Sequence, residues 1–199
     1  MINIKKTAFA VILIFVLFPV MSQAANTDLE INVNSSDVEV DIESNFLPYE
    51  TPILFGVGVM SSDNNYWISN VRIAVIDEVF VPALNLGLGL KIAVGKADIL
   101  NVEYDLTALC FQFLGRYDFR KRVASKLPIS ASASFSVAPG VLSFSNSERY
   151  TEFKSTVSFH INKSAAVFVG YRRESARLKN TIEIDLDDDD VFFGFKLSF

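Results

Sequence analysis

A serine and the only histidine of the chain lie two residues apart, at Ser158 and His160, in a segment that alternates apolar and polar residues. In a β-strand this spacing places both side chains on one face. A hydroxyl beside an imidazole is the beginning of a nucleophile–base pair, and Glu152 or Glu174 could orient the ring. The alternation turns both side chains to the polar face, so we expect a histidine satisfied by polar neighbours.

Five aspartates lie close together near the C-terminus, at Asp185 and from Asp187 to Asp190, in a stretch that we interpret as a polar link between strands. Carboxylate oxygens suit hard cations such as Ca²⁺ or Mg²⁺, and an ion held here could bridge to anionic lipopolysaccharide. The run lacks the spaced acids and fixed glycine of a defined calcium loop, which favours a solvated charge run. The candidate metal ligands are Asp187, Asp188, Asp189 and Asp190.

Basic residues recur on the polar faces of the strand-like segments, and acidic residues join them near the N-terminus. Inside a barrel they could line an anion-preferring pore, or they could pair and fill the lumen, because buried charges need partners. No zinc spacing, phosphate-binding glycine loop or nucleotide motif accompanies them, so no cofactor is expected. The predicted lumen-lining residues are Arg72, Lys91, Arg116, Lys154, Arg172, Lys196, Glu39 and Asp41, with Glu30 and Glu43 in the same phase.

Period-two alternation runs through most of the chain and predicts an all-β fold. Between Leu84 and Val94 every even position is a large aliphatic residue, and every odd position is small or polar. The segments Ile129–Val137 and Phe153–Ile161 repeat the pattern, and the last residues place Val191, Phe193, Phe195, Leu197 and Phe199 on one face. Each strand therefore has one apolar face and one polar face. The lone cysteine, Cys110, falls on the polar face beside Gln112, which suggests a small packed residue.

Alternation alone does not decide which face points outward. A soluble lipocalin-like barrel would point its apolar face inward, whereas a membrane barrel points it at lipid. Two features favour the membrane: the chain ends on an aromatic strand at Phe199, and aromatic residues gather at strand ends, as in the girdles of membrane barrels. These aromatic residues are Phe46, Tyr49, Tyr66, Trp67, Tyr117, Phe119 and Tyr171.

Eight strands can be counted back from the C-terminus, near residues 190–199, 165–174, 152–162, 128–138, 104–119, 83–95, 66–77 and 51–60. The remaining segment, 28–44, changes phase across Asn34–Asp37. A tight hairpin there gives ten strands, whereas a bulge gives nine, and bacterial single-chain barrels have an even number. The sequence therefore predicts an antiparallel up-and-down transmembrane β-barrel of 10 strands, with 8 strands plus an N-terminal hairpin as the alternative. Closure would bring acidic residues of the first strand towards Lys196.

The N-terminus has the features of a secretory signal peptide. Lys5 and Lys6 precede the apolar run from Thr7 to Val20, and Ser22–Ala24 offers the small residues that a signal peptidase reads. We expect residues 1–24 to be cleaved and residues 25–199 to form one barrel domain, with an uncleaved anchor as the alternative. The net charge of −5 gives no basic surface for nucleic acid.

From Ser134 to the C-terminus the chain resembles the YfaZ family of small outer-membrane proteins. The resemblance lies in Val137–Phe144, in Tyr150 and Glu152, in Val169–Arg172 and in the closing strand Val191–Phe199. It covers about a third of the chain well, and the first half only as a strand pattern. The resemblance implies a signal peptide and an outer-membrane barrel, and it brings no established activity or catalytic residue.

These observations predict a non-enzymatic outer-membrane barrel of a Gram-negative bacterium, either structural or forming a narrow pore. Its expected partners are outer-membrane lipid, lipopolysaccharide and the barrel assembly machinery; the sequence leaves its oligomeric state open. Two alternatives remain: a lipid-A-modifying hydrolase that uses Ser158 and His160, and a protein that binds cations or lipopolysaccharide through an external loop. Known hydrolases of that kind expose the pair to lipid, whereas this register turns it inward.

Overall fold

The computed structural model describes residues 26–46, 52–63, 66–99, 102–121, 127–145, 147–178 and 184–199. The proposed signal peptide, residues 1–24, lies outside the described residues, as does Tyr49. In the described part of the chain, no helix is both long and apolar enough to cross a membrane.

Eleven strands follow one another along the chain, joined by short connections. They are β1 (Asn26–Val33), β2 (Asp37–Phe46), β3 (Ile53–Ser62), β4 (Tyr66–Glu78), β5 (Leu84–Ile99), β6 (Val102–Asp118), β7 (Ile129–Ala138), β8 (Ser143–Ser145), β9 (Ser147–His160), β10 (Ala165–Leu178) and β11 (Ile184–Ser198). Single turns of 3₁₀ helix lie at Phe119–Lys121 and Gly140–Leu142.

The strands form one closed antiparallel barrel. From β1 to β7 and from β9 to β11 each strand pairs with the next one, β7 pairs with β9, and β1 pairs with β11 from Asp28↔Ser198 to Val33↔Phe193. The short strand β8 pairs with β6 beyond β7 and runs in the direction of β7, so it continues that strand after an interruption at Pro139–Leu142. Counting β7 and β8 as one interrupted strand gives ten, which confirms the predicted ten-stranded barrel.

The phase change near the N-terminus is a tight hairpin, as predicted. β1 and β2 pair without a break from Asn26↔Asn45 to Val33↔Val38. The Asn34 side chain holds the turn, because its Oδ1 accepts hydrogen bonds from the backbone N–H groups of Ser36, at 2.8 Å, and Asp37, at 2.5 Å. An asparagine side chain that mimics a turn in this way is common at chain reversals.

The two faces of the strands separate as the alternation requires. The apolar face points outward and leaves large hydrophobic side chains exposed around the barrel, among them Ile73, Leu88, Ile92, Phe113, Val157, Phe159, Val169 and Phe193. The polar face points inward, and many of its charged side chains are buried, among them Glu39, Asp41, Lys91 and Arg172. An exposed apolar belt of this extent marks a surface that contacts lipid or protein.

Two of the sequence interpretations are wrong. The acidic stretch Asp185–Asp190 is not a loop, because it lies in β11 and pairs with β10 from Arg172↔Asp190 to Arg177↔Asp185. The sequence shows no apolar–polar alternation here, since both faces of the strand carry aspartates at this end. Tyr66 was expected in an aromatic girdle on the exterior. It points into the lumen instead and is only 4% exposed.

Glycines on the inner face let neighbouring strands and side chains approach closely. A Cβ on Gly89 would lie 2.3 Å from the carbonyl oxygen of Ile73, and a Cβ on Gly58 would lie 2.6 Å from a carboxylate oxygen of Asp41. Gly115 of β6 lies on the outer face instead, where the nearest atom to an added Cβ would be Leu86 Cδ2 at 3.7 Å. The inner glycines of β3 and β5 therefore make room for the lumen side chains and for strand β4.

The substitution Gly89→Ala should lower the free energy of unfolding by about 1–3 kcal/mol, because a methyl group overpacks the contact with β4. Gly115→Ala, the matched control, should change it by less than about 0.5 kcal/mol. Urea-induced unfolding from lipid vesicles can be followed by the fluorescence of the single tryptophan, Trp67. Equal effects of the two substitutions would contradict the described packing.

Candidate functional site

The lumen is the one place where polar and charged side chains of most strands meet in the described structure. For clarity, the terminal end is the end of the barrel that carries residues 26 and 199, and the hairpin end is the opposite one, with the turn at residues 34–36. A cavity of about 360 Å³ occupies the terminal half. Its lining runs from Asn26, Lys163 and Ser198 at the rim to Lys91, Gln112 and Glu152 further in.

Five of the six predicted basic lumen residues pair with acidic residues of the first hairpin. Arg72 contacts Asp41, with its Nη1 donating at 2.7 Å, and lies 3.3 Å from Glu43. Arg116 also pairs with Glu43, at 2.6 Å. The other contacts on this hairpin are Lys154–Glu39 at 2.8 Å, Arg172–Glu39 at 3.1 Å, Arg172–Asp37 at 2.5 Å, Lys196–Glu30 at 2.5 Å and Lys196–Asp28 at 3.6 Å.

The pairing has a simple origin in the sequence. The segment 26–46 contains six acidic residues and no lysine or arginine, and register places all six on the inner face. The acidic β1–β2 hairpin therefore neutralises lysine and arginine side chains that the other strands place in the lumen. The expected approach of acidic residues to Lys196 occurs at the seam, where Glu30 of β1 lies opposite Lys196 of β11.

Lys91 is the exception, because it pairs with Glu152 of β9 instead of the hairpin. The Tyr150 hydroxyl donates a hydrogen bond to the same carboxylate, at 2.6 Å. Lys91 and Glu152 are 4% and 6% exposed, and Tyr150 is fully buried. Lys91 and Glu152 form the inner floor of the cavity, and Tyr150 belongs to the apolar cluster behind it.

Beyond this floor the hairpin end of the lumen is filled by apolar side chains. A buried cluster joins residues of β3 to β10, and its larger members are Met60, Tyr66, Ile68, Leu106 and Tyr150, with small residues such as Ala93, Ala108, Cys110 and Ala138 between them. Cys110 is fully buried, in the packed position expected for it. The lumen therefore consists of a polar cavity at one end and, at the other, a packed apolar plug beside buried charged residues of β2 and β10.

The serine–histidine pair is assembled differently from the prediction. Ser158 and His160 both face the lumen, but the His160 Nε2 atom lies 2.8 Å from the hydroxyl of Ser130 on β7. Glu152 is occupied by Lys91 and Tyr150, and Glu174 lies opposite Glu152. Among the described residues, no carboxylate hydrogen-bonds to the imidazole ring. The arrangement satisfies a histidine and supplies none of the orienting contacts of a catalytic triad.

The basic rim at the terminal end includes the 3₁₀ turn after β6. Arg120 there donates two hydrogen bonds to the Asp118 carboxylate, at 2.9 and 2.8 Å. These hydrogen bonds raise the pKa of Arg120 above its ordinary value. Lys121 and Lys163 also lie at this rim, so the mouth of the cavity carries positive charge.

The four candidate metal ligands fall on two faces of β11. Asp187 and Asp189 point outward, and Asp187 pairs with Arg173 at 2.9 Å. Asp188 and Asp190 point inward, where they meet Asp37 of β2. Asp37 is not among the residues expected in the lumen, although its odd position, in phase with Glu39 and Asp41 of β2, places it on the inner face.

No known sequence family matches the chain, and no characterised protein matches it in sequence. Several solved barrels are similar in structure. They include the Neisserial surface protein A (9% identity, TM-score 0.38, 87% of this chain and 94% of that one) and the NanC porin (10% identity, TM-score 0.43, 86% and 98%). The outer-membrane OmpT of Vibrio cholerae has 11% identity and a TM-score of 0.41, and the match covers 82% of this chain and 56% of that one. Likeness at this level carries no information about activity.

The substitution Lys91→Met should lower the free energy of unfolding by about 3–5 kcal/mol, because it leaves the buried Glu152 carboxylate without its partner. Adding Glu152→Gln should recover most of the loss, since the glutamine needs no counter-charge and still accepts the Tyr150 hydrogen bond. Arg173→Met, which breaks an exposed pair, should leave the urea midpoint unchanged. A double variant no more stable than Lys91→Met alone would contradict the assignment of this pair.

Proposed function

We propose that the chain is an outer-membrane β-barrel with a closed lumen, which serves as a structural membrane protein rather than as a pore. The observation that carries this proposal is the packed hairpin end of the lumen. There, the apolar cluster around Met60, Leu106 and Tyr150 lies directly beyond the Lys91–Glu152 floor. Small barrels fill their interiors with side chains in this manner, and a solute would have to displace them.

The exterior supports placement in a lipid bilayer. Side chains that would be buried in a soluble barrel face outward on strands β4, β5, β6, β9, β10 and β11, and many are about half exposed. The strands that carry this belt have 13–17 residues, against the 9–11 that a tilted strand needs to cross the hydrocarbon core. Lipid contact on the outside leaves the polar inner face to satisfy itself, as the ion pairs do.

The remaining features follow from this placement. Both described chain ends lie at the same end of the barrel, which faces the periplasm if the chain follows the usual topology of bacterial barrels. The cavity and its basic rim would then open to the periplasm. Export by a signal peptide, delivery by the barrel assembly machinery, contact with lipopolysaccharide and membership of the YfaZ family are parts of the same proposal.

Planar-bilayer recordings of the refolded chain, under anion and cation gradients, test the closed lumen. The unmodified protein should show no discrete openings, whereas Tyr150→Ala should produce them, because it removes the largest fully buried side chain of the plug. Phe153→Ala, on the outer face of the same strand, is the matched control and should remain silent.

Folding of each variant is checked beforehand by the change in gel mobility between unheated and boiled samples. Discrete, ion-selective openings of the unmodified chain would overturn the closed lumen and make the Arg and Lys residues a conduction pathway. Openings of the Phe153→Ala control would show that leakage arises from poor insertion instead of loss of the plug.

A further inference from the structure

The β1–β2 hairpin is shorter than the β10–β11 hairpin beside it, so the barrel wall is incomplete at this point. β1 ends at Val33, and it pairs with β11 only between Phe193 and Ser198. The preceding residues of β11, from Ile184 to Phe192, pair with β10 alone among the described strands. The β10–β11 hairpin therefore extends beyond the β1–β2 hairpin. Among the described strands, this leaves the edge of β11 unpaired and a notch in the wall above β1 and β2.

Two polar contacts reach across this notch. The Tyr66 hydroxyl of β4 donates a hydrogen bond to Asp188 of β11. Arg172 of β10 donates to Asp37 of β2, at 2.5 Å. The contacts bring carboxylates from two separate hairpins into one place, at a part of the wall where, among the described residues, β11 has no strand partner other than β10.

Three carboxylates meet inside the notch. One oxygen from each of Asp37, Asp188 and Asp190 lies within 4.8 Å of the other two. Asp37 is 4% exposed, and its Oδ1 atom is buried without a hydrogen-bond partner; Asp190 Oδ2 is in the same condition. A buried carboxylate oxygen without a donor is costly, so two of them in one cluster indicate a missing positive partner.

The local charge points to the same conclusion. Glu174 lies opposite Asp188 across the β10–β11 pair, and its Oε2 atom is also buried without a partner. Against these four carboxylates, the basic side chain in contact within the described residues is Arg172, which also binds Glu39. Elsewhere in the described lumen the inward carboxylates of β1, β2 and β9 form ion pairs with lysine or arginine. The buried carboxylate oxygens without a partner are therefore confined to the notch.

We infer that Asp37, Asp188 and Asp190 bind one divalent cation of the calcium type. Ca²⁺ binds oxygen ligands at about 2.3–2.6 Å, so two oxygens on one ion lie no more than about 5 Å apart, which agrees with the observed spread. Carboxylates are the ligands that this ion prefers, and water completes its coordination. The ion would join the first hairpin to the last one and close the notch.

Calorimetric titration of the refolded full chain in detergent micelles with CaCl₂ tests the site. The unmodified chain should bind one Ca²⁺, and Asp190→Asn should weaken binding roughly tenfold or more, because it removes a charged ligand. Asp188→Asn serves as a second variant, should the first not fold. Asp189→Asn is the matched control: its residue lies between the two ligands in the same strand but faces outward, so binding should be unchanged.

Thermal unfolding supplies an independent measurement. CaCl₂ should raise the midpoint of the unmodified chain relative to EDTA, and an equal ionic strength of NaCl should not. Asp190→Asn should lose this response and, in EDTA, be at least as stable as the unmodified chain, because one of the repelling carboxylates is gone. Absence of saturable heat with CaCl₂, or equal loss of binding in Asp189→Asn and Asp190→Asn, would overturn the site.

Discussion

Charge neutralisation inside a narrow closed wall is the constraint on which the rest of the structure depends. A lysine or arginine that points into such a lumen cannot extend its charged group into lipid, and it has little water to solvate it. Each lysine or arginine that a later strand places in the lumen needs a carboxylate at the same height along the barrel axis. The hairpin β1–β2 supplies most of these acids, since it carries six of them on its inner face and no base; the exception is Glu152, which pairs with Lys91.

Pairing of this kind explains why the strand register is unique. A slip of one residue would turn the inner charges of a strand towards lipid and its hydrophobic side chains into the lumen. The glycines reinforce the same register, because Gly56 and Gly58 of β3 leave the space in which Arg72 and Asp41 meet. Ion pairs of this type contribute modestly to stability once desolvation is counted, but removal of one partner is expensive. In this barrel the ion pairs therefore make other strand registers unfavourable.

Much of this architecture follows from the sequence alone. Alternation and the parity of bacterial barrels predict ten strands, and the phase change at Asn34 locates the first turn. The inner-face register of Arg72, Lys154 and Lys196 follows from the same alternation. What alternation does not supply is height along the barrel axis, because the stagger between strands depends on closure.

Stagger explains the failures of the sequence reasoning. The pairing of His160 with Ser130 instead of Ser158 and the meeting of Asp37 with Asp188 both join residues of different strands. Tyr66 is a separate case, because it has the same phase in β4 as Arg72 and alternation alone places it on the inner face. The acidic part of β11 is not recognisable as a strand for a different reason. Both faces of the strand carry aspartates there, so the alternation of apolar and polar residues disappears in the part of β11 that extends beyond β1.

The seam between β1 and β11 has a consequence for biogenesis. Its contacts join the first and last described strands, with Ser198 donating to Asp28 across 170 residues of sequence. Until the last strand arrives, the acidic inner face of the first hairpin cannot be fully neutralised, and it resists transfer into hydrocarbon. Membrane entry and barrel closure are therefore coupled, so a chain cut short before β11 should stall at the membrane surface as an incomplete sheet rather than insert as a smaller barrel.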